Sequence, residues 1–447
     1  MQFEEMKKAL SDAAARAGVS QYEIYYQKEE GISAETLKEE ISAFSSSVCG
    51  GICFRCIVDG KMGYASGERM TAEDAEEMVR RAVSNAHCID SEDEVFIFEG
   101  SPSYQKLPER TIALADPTEL RDIALRLQKE TYAADPRVSD GTQSTVGSVT
   151  GEVHICNSNG LSLSNRTGCT YAYAMPVVRD GEEAQQDYCG GEGTSYNDFA
   201  DLPARAVAGA VAKLHAAPAV SGKYDIVMDG RQFRNFLSTF SSVFSAKNVR
   251  MGLSLLAGKE GTQIASPLVT VTDDPMREGS LLQTPFDGEG VATSRRNVIE
   301  NGVLKTFLYD LSTAKKAGVA STGNGQKSSY AAPVTIAPYH FSLQPGKKTR
   351  EELFEAVGTG IYITECKGFH AGANAVTGDF SIESAGFMIR DGKLAEAVRS
   401  FTVAGNFFDL LRQIDGIGNE VRWSIAGSFP VFGSPDVLIR GASVAGK

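Results

Sequence analysis

A run of about 18 apolar residues, the length that crosses a bilayer as a helix, occurs nowhere in the sequence. Residues 2–17 alternate charge with small apolar side chains and so lack the apolar stretch of a secretory signal; the expected location is the cytoplasm, with no membrane partner. Positive charge is also short. The 44 Lys and Arg are outnumbered by 57 Asp and Glu, the net charge is -13, and the basic residues are scattered. Binding to a nucleic-acid backbone needs a clustered basic surface, so nucleic acid is not an expected partner. Eight cysteines in 447 residues are too few for a disulfide scaffold and read as free thiols, mostly buried as small apolar groups.

Histidine is scarcer still. The five, at positions 87, 154, 215, 340 and 370, are nowhere closer together than 30 residues, so no helix carries the His-Glu-x-x-His pair that seats zinc beside a general base. His87, His154 and His215 read as ordinary packed or surface residues. Cys49, Cys53 and Cys56 resemble half of a zinc site, but no second pair follows, and strand alternation turns Cys56 away from the other two. No G-x-S-x-G elbow presents a serine nucleophile. LLAGKEGTQ and STGNGQKSSY are glycine-rich, yet neither has the spacing of a phosphate-binding loop. Nothing in these motifs alone forces an enzyme.

The composition that remains, 42% hydrophobic and 23% charged, suits two or three globular domains. A helix over 2–17, a strand in YEIYYQ and a hairpin at Asp59-Gly60 open an α+β module; TAEDAEEMVRRAVSNA follows as a helix capped by Thr71. SEDEVFIFEGSPSYQKLPERT reads as connection. A second module runs from a helix after Asp116-Pro117 through strands with hairpin signals at Asn159-Gly160 and Asp180-Gly181 to the helix ARAVAGAVAKLHAAPAV. These modules, about 1–100 and 110–220, form an expected N-terminal domain of helices and antiparallel sheet over 1–220. Residues 221–447 read as a β-rich, barrel-like domain, with hairpins at Asn301-Gly302 and Asp391-Gly392. Its helix over 231–244 spaces Phe233, Phe236, Leu237, Phe240, Val243 and Phe244 as a core stripe.

Two glycine loops hold the candidate site residues. CKGFHAGANAVTGDFS, residues 366–381, brings Cys366, His370, Gly372, Asn374, Thr377 and Asp379 onto a backbone that must approach something closely. Cys366 and His370 are a plausible pair of metal ligands that still lacks a third. FDGEGVATSRR sets Asp287, Glu289, Arg295 and Arg296 around two glycines, with a plain turn carrying solvated charges as the simpler reading.

The ordered segments GLSLLAGKEGTQIASPLVTVTDDP, FDGEGVATSRRNVIENGVLKTFLYDLSTAKKAG, STGNG, ANAVTGDFSIESAGFMIRDGKLAEAV, FTVAGNFFDLLRQIDGIGNE and DVLIRGASVAG resemble the C-terminal half of the TldD/PmbA family, and within it the PmbA branch, also called TldE. The resemblance implies a cytoplasmic two-domain protein of peptide processing, in which TldD and TldE pair into a peptidase that threads extended peptides into a closed chamber; an older label is modulator of DNA gyrase. It implies zinc in the TldD partner, on a helical His-Glu-x-x-x-His motif plus a cysteine close to its C-terminus. Here the corresponding helix reads GRQFRNFLSTFSS and no cysteine follows Cys366, so no catalytic group and no metal ligand carries over. The expectation is a non-catalytic subunit paired with a TldD-like chain or with itself. Peptide contacts are expected at His370, Gly372, Asn374, Thr377 and Asp379, together with Asp287, Glu289 and Arg295. The alternatives are a self-sufficient metallopeptidase using Cys366, His370 and Asp379, and a non-enzymatic regulator of gyrase or of a toxin.

Overall fold

The structure, a computed structural model, describes residues 1–90, 94–425 and 427–447. The first domain is built on one six-stranded sheet that both sequence modules share. The first module supplies β1 (Tyr22–Leu37), β2 (Glu40–Val58) and β3 (Lys61–Gly67); the second supplies β4 (Gln143–Asn157), β5 (Ser162–Met175) and the short strand Cys189–Glu192. They lie in the order β3, β2, β1, β4, β5, 189–192. The central pairings are antiparallel, with Tyr25 against Cys53 on one side and Ile155 on the other. The strand expected only over YEIYYQ is therefore 16 residues long. It turns into β2 through Lys38 and Glu39, both at positive φ.

Strand alternation gives this sheet two different faces. Ile24, Ile52, Phe54 and Cys56 pack against α1 (Phe3–Arg16) and α2 (Ala72–His87), and Ile32, Ala34, Val146 and Ala172 against α3 (Pro117–Ala133) and the start of α4 (Leu202–Ala212). Helix α2 begins where expected, with the Thr71 hydroxyl accepting from the Asp74 N–H at 3.1 Å. The opposite face carries Tyr25, Cys53, Ile155 and Leu161, which meet Phe286 of the second domain. Cys53 and Cys56 thus lie on opposite faces, and Cys49 is exposed.

The second domain centres on a closed ring of five strands: Gly222–Met228, Gly360–Lys367, Asp379–Arg390, Lys393–Asn406 and Val437–Ala445. The last pairs with both the first and the fourth. Helix α5 (Gly230–Phe240) and the 3-10 turn Ser241–Phe244 bury the whole expected stripe, Phe233 to Phe244, in the main core. Alternate residues of the ring, Val227, Tyr362 and Leu438, face the helix Arg350–Val357 instead. A second sheet includes Val271–Asp273, Arg296–Glu300, His340–Leu343 and Val431–Ser434. The connection read in SEDEVFIFEGSPSYQKLPERT starts at 91–93, outside the described residues. From 94 to 110 it has no regular structure and serves as a clamp between the domains.

Candidate functional site

The second domain reaches the free face of the sheet through two loops that lock onto each other. In 287–291 the Asp287 carboxylate accepts backbone N–H bonds from Glu289 and Val291, both at 2.9 Å, and from Gly325 of the second loop at 2.9 Å. The Gly288 N–H donates to the Gly325 carbonyl at 2.6 Å. A Cβ on Gly325 would sit 2.6 Å from Glu289 Oε2, so a side chain there would have to displace that carboxyl. The 94–110 segment fastens the assembly: Tyr104 donates to the Gly290 carbonyl at 2.9 Å, and Gln105 to that of Thr293 at 3.2 Å.

Reading Asp287 and Glu289 as solvated charges is therefore corrected: they are 2% and 7% exposed. Burial pushes both carboxyls above the usual carboxylate range, against three N–H bonds in the case of Asp287; the charge of Asp287 adds to the effect on Glu289. The neighbouring arginines do not join them. Arg295 is exposed and lies 3.6 Å from Asp274, and Arg296 donates to Ser294 Oγ at 2.9 Å.

Beyond the lock, the 321–330 loop lays Lys327 and Tyr330 on the sheet. Tyr330 packs where a Cβ on Gly51 would be, 2.6 Å away. Between sheet and loops is a cavity of about 310 Å³, lined by Tyr25, Gln27, Asn165, Asp287, Lys327 and Tyr339 among others. The Lys327 ammonium lies 4.2 Å from the centre of the Tyr25 ring and has no hydrogen-bond or ion-pair partner among the described residues. Burial lowers its pKa. Gln27 Oε1 and Asn165 Oδ1 are buried without a donor. None of these four residues was singled out from sequence. They come from β1, β5 and a loop of the other domain, and the only sequence signal was the glycine content of the two loops.

The 366–381 stretch lies elsewhere and lines none of this cavity. Cys366 ends a ring strand with its thiol against Ser384 Oγ at 3.7 Å, and burial pushes that thiol up to about 12. His370 is exposed on a single helical turn, Phe369–Gly372. Asn374 Oδ1 accepts from the N–H groups of Val376 and Thr377 at 2.9 and 3.2 Å, and Thr377 Oγ1 accepts from that of Asp379 at 3.3 Å. The Asp379 carboxylate is held by the Asn406 amide at 2.9 Å. Gly372 packs so close to the next strand that a Cβ would meet the Ser381 carbonyl at 2.4 Å. The loop borders an open surface hollow.

Helix α5 forms a second interdomain cleft, about 220 Å³, with Asp187, Tyr188 and Lys213. Its cations already have acceptors. Arg231 pairs with Asp229 at 3.0 Å, Lys213 with Asp187 and Glu365 at 3.0 and 3.1 Å, and Arg234 donates to the Trp423 carbonyl. Gln232 bridges to the next strand, donating to the Thr364 carbonyl at 2.8 Å and accepting from the Cys366 N–H at 3.1 Å. Asp229 is the hub: it caps α5 through the Arg231 N–H at 2.8 Å and accepts from the Tyr362 hydroxyl at 2.6 Å and from Arg350 at 3.3 Å. Burial opposes its ionisation, but Arg231 and Arg350 prevail and hold its carboxyl below the usual range.

Zinc requires thiolate, imidazole or carboxylate ligands with an open position. The α5 face offers guanidinium and amide groups, and its carboxylates are committed to ion pairs, so the residues present do not fit the ion. Among the described residues no group of three or more His, Cys, Asp or Glu stands in a ligating arrangement, Cys366, His370 and Asp379 included.

A family profile described as the PmbA/TldA metallopeptidase C-terminal domain matches residues 221–446; profiles for domain 1 and the central domain match 22–86 and 110–214. The metalloprotease PmbA homolog of Haemophilus influenzae is 25% identical over 444 residues, covering 94% of this chain and 93% of its own. A Thermotoga maritima protein, described as a candidate modulator of a DNA gyrase, has a crystal structure with a TM-score of 0.90. It is 30% identical and covers 99% of this chain and 100% of its own. TldE from Thermococcus kodakarensis also has a TM-score of 0.90, covering 98% and 99%; at 24% identity it speaks for the fold. With all three profiles matched in order and the α+β, barrel-containing fold shared, the chain belongs to the PmbA/TldD metallopeptidase family, as its sequence segments led one to expect.

Proposed function

We propose that this chain is the TldE/PmbA-like subunit of a TldD/TldE-type metallopeptidase, contributing chamber wall and peptide contacts while a TldD-like partner supplies the zinc. The observation that carries the reading is the α5 face, where Arg231, Gln232, Arg234 and Asn235 line a cleft with no free ligand. Hydrolysis by zinc needs three fixed ligands, an open position and a carboxylate beside the bound water. In this reading an extended peptide pairs its backbone with the 368–381 stretch, meeting His370, Gly372, Asn374, Thr377 and Asp379, and touches Arg295. Asp287 and Glu289 act by bracing loops. No helix of the described residues is long and apolar enough to cross a membrane, which suits the cytoplasmic setting proposed here.

The test is metal content by elemental mass spectrometry and cleavage of an unstructured peptide, first on the chain alone and then mixed with a TldD-type chain. Negligible zinc and cleavage only in the mixture are the expected results. Stoichiometric zinc with cleavage by the isolated chain would overturn the reading.

A further inference from the structure

The geometry points to a second ligand site: we propose that the cavity between the sheet and the two locked loops binds the carboxylate end of a peptide, with Lys327 as its counter-charge. This rests on the peptidase-subunit reading for the choice of a peptide, but the site itself is argued from its own groups.

Lys327 stands in the cavity wall without an anion. None of the carboxylates near it pairs with it directly: Glu23 pairs through Oε1 with Arg55 at 2.8 Å and keeps Oε2 buried without a donor, Asp287 carries its three N–H bonds, and Glu289 accepts from the Leu311 N–H at 2.8 Å. A desolvated ammonium beside only an aromatic face is half of an interaction, because burying a charge without a partner is unfavourable. At the rim, Lys28 pairs with Glu30 at 2.9 Å and Glu29 is exposed, while Glu152 is taken up at 2.6 Å by His154, which stacks on Phe3 of α1 outside the cavity. Lys327 is thus the cation left for a ligand.

The other unused groups fix the rest of the ligand. Asn165 is 8% exposed; its Nδ2 donates to the Gln283 carbonyl at 2.9 Å, which leaves Oδ1 as a buried acceptor with no donor. Gln27 Oε1 is in the same state on the neighbouring strand system. A phosphate or other compact anion would need several N–H donors converging with the ammonium. This wall instead offers one cation and two acceptors, which calls for a ligand with one carboxylate and N–H donors behind it. A peptide terminus has both, and about 310 Å³ lies at the small end of ligand pockets, enough for a short segment and not for a folded domain.

The test titrates the intact chain with N-acetyl-trialanine as the free acid and as its C-terminal amide, by calorimetry. The acid is expected to bind at least about tenfold more tightly, as a charge-assisted pair in a partly dry site would produce. K327M should erase the difference, K327R should keep most of it, and N165L should weaken acid and amide alike. Equal binding of acid and amide, absence of binding by the folded chain, or an acid preference that survives K327M would each overturn the proposal. Cleavage in the TldD-type mixture is read separately: if it persists while acid and amide bind alike, the cavity proposal falls and the subunit reading stands, and the converse result separates them the other way.

Discussion

Two clefts join the same two domains, and they differ in what their charges do. Along α5 each cation already has an acceptor, and Asp229 ties the helix start to Arg231, Arg350 and Tyr362. Under the sheet, Lys327 has only the Tyr25 ring, and Gln27 and Asn165 keep acceptors unused. A paired network in a low-dielectric setting holds structure together, whereas unpaired buried groups cost stability until something arrives to pair them. The family resemblance draws attention to the α5 face, where Arg234 Nε and Thr364 Oγ1 are left without partners, but the unpaired ammonium is in the other cleft.

Substitutions sharpen this contrast, beginning with the hub. D229N should cost about 3–5 kcal/mol, since it leaves two guanidinium groups facing a neutral amide; chemical denaturation of the isolated chain measures it, and a loss below about 1 kcal/mol would show the network to be dispensable. G51A places a methyl group 2.6 Å from the Tyr330 ring and from the Gly67 carbonyl, an overpacking expected to cost about 1–3 kcal/mol and to loosen the roof of the cavity. K327M should lie within about 0.5 kcal/mol of the parent chain or above it, because the cation removed had no partner to lose beyond one ring. A large destabilisation there would mean that Lys327 is structural after all.

The smallest effect concerns pH. Glu289 keeps its proton in the folded chain above the value of about 4.3 at which an unfolded glutamate releases it. The folded state then binds more protons than the unfolded one, so stability falls as pH rises from about 4.3 through the raised folded value and levels off above it. E289Q should make melting temperature decline less over that interval, by a few degrees at most; identical slopes would contradict the assignment.

What the sequence disclosed followed from local chemistry. Asp59-Gly60, Asn301-Gly302 and Asp391-Gly392 announce their turns because both residues tolerate positive φ, and all six have it. Lys38-Glu39 makes a turn of the same kind, at φ 54 and 61, with neither residue type that signals one, so the longest hairpin was invisible. The outer half of β2 was equally hidden: its residues 42–49 are exposed, which removes the alternation that marks a half-buried strand. Helix α5 was legible because its stripe faces one core. The cavity was not, since Gln27, Asn165 and Lys327 are neighbours only after the second domain closes on the first. Composition also misjudged Asp287 and Glu289, as charged residues beside glycines are usually solvated, whereas here the Gly325 and Leu311 N–H groups hold them inside.

A ring of five strands also dictates an order of events in folding. The neighbours within 360–406 are local hairpins, but Gly222 must find Val444, and Val403 must find the same residue from the other side. Loop-closure entropy delays such distant pairings, so the ring closes late. Until it does, the strands 222–228 and 393–406 expose free edges that can pair with other chains. The 437–445 segment therefore acts as the chain's own guard against aggregation during synthesis and refolding.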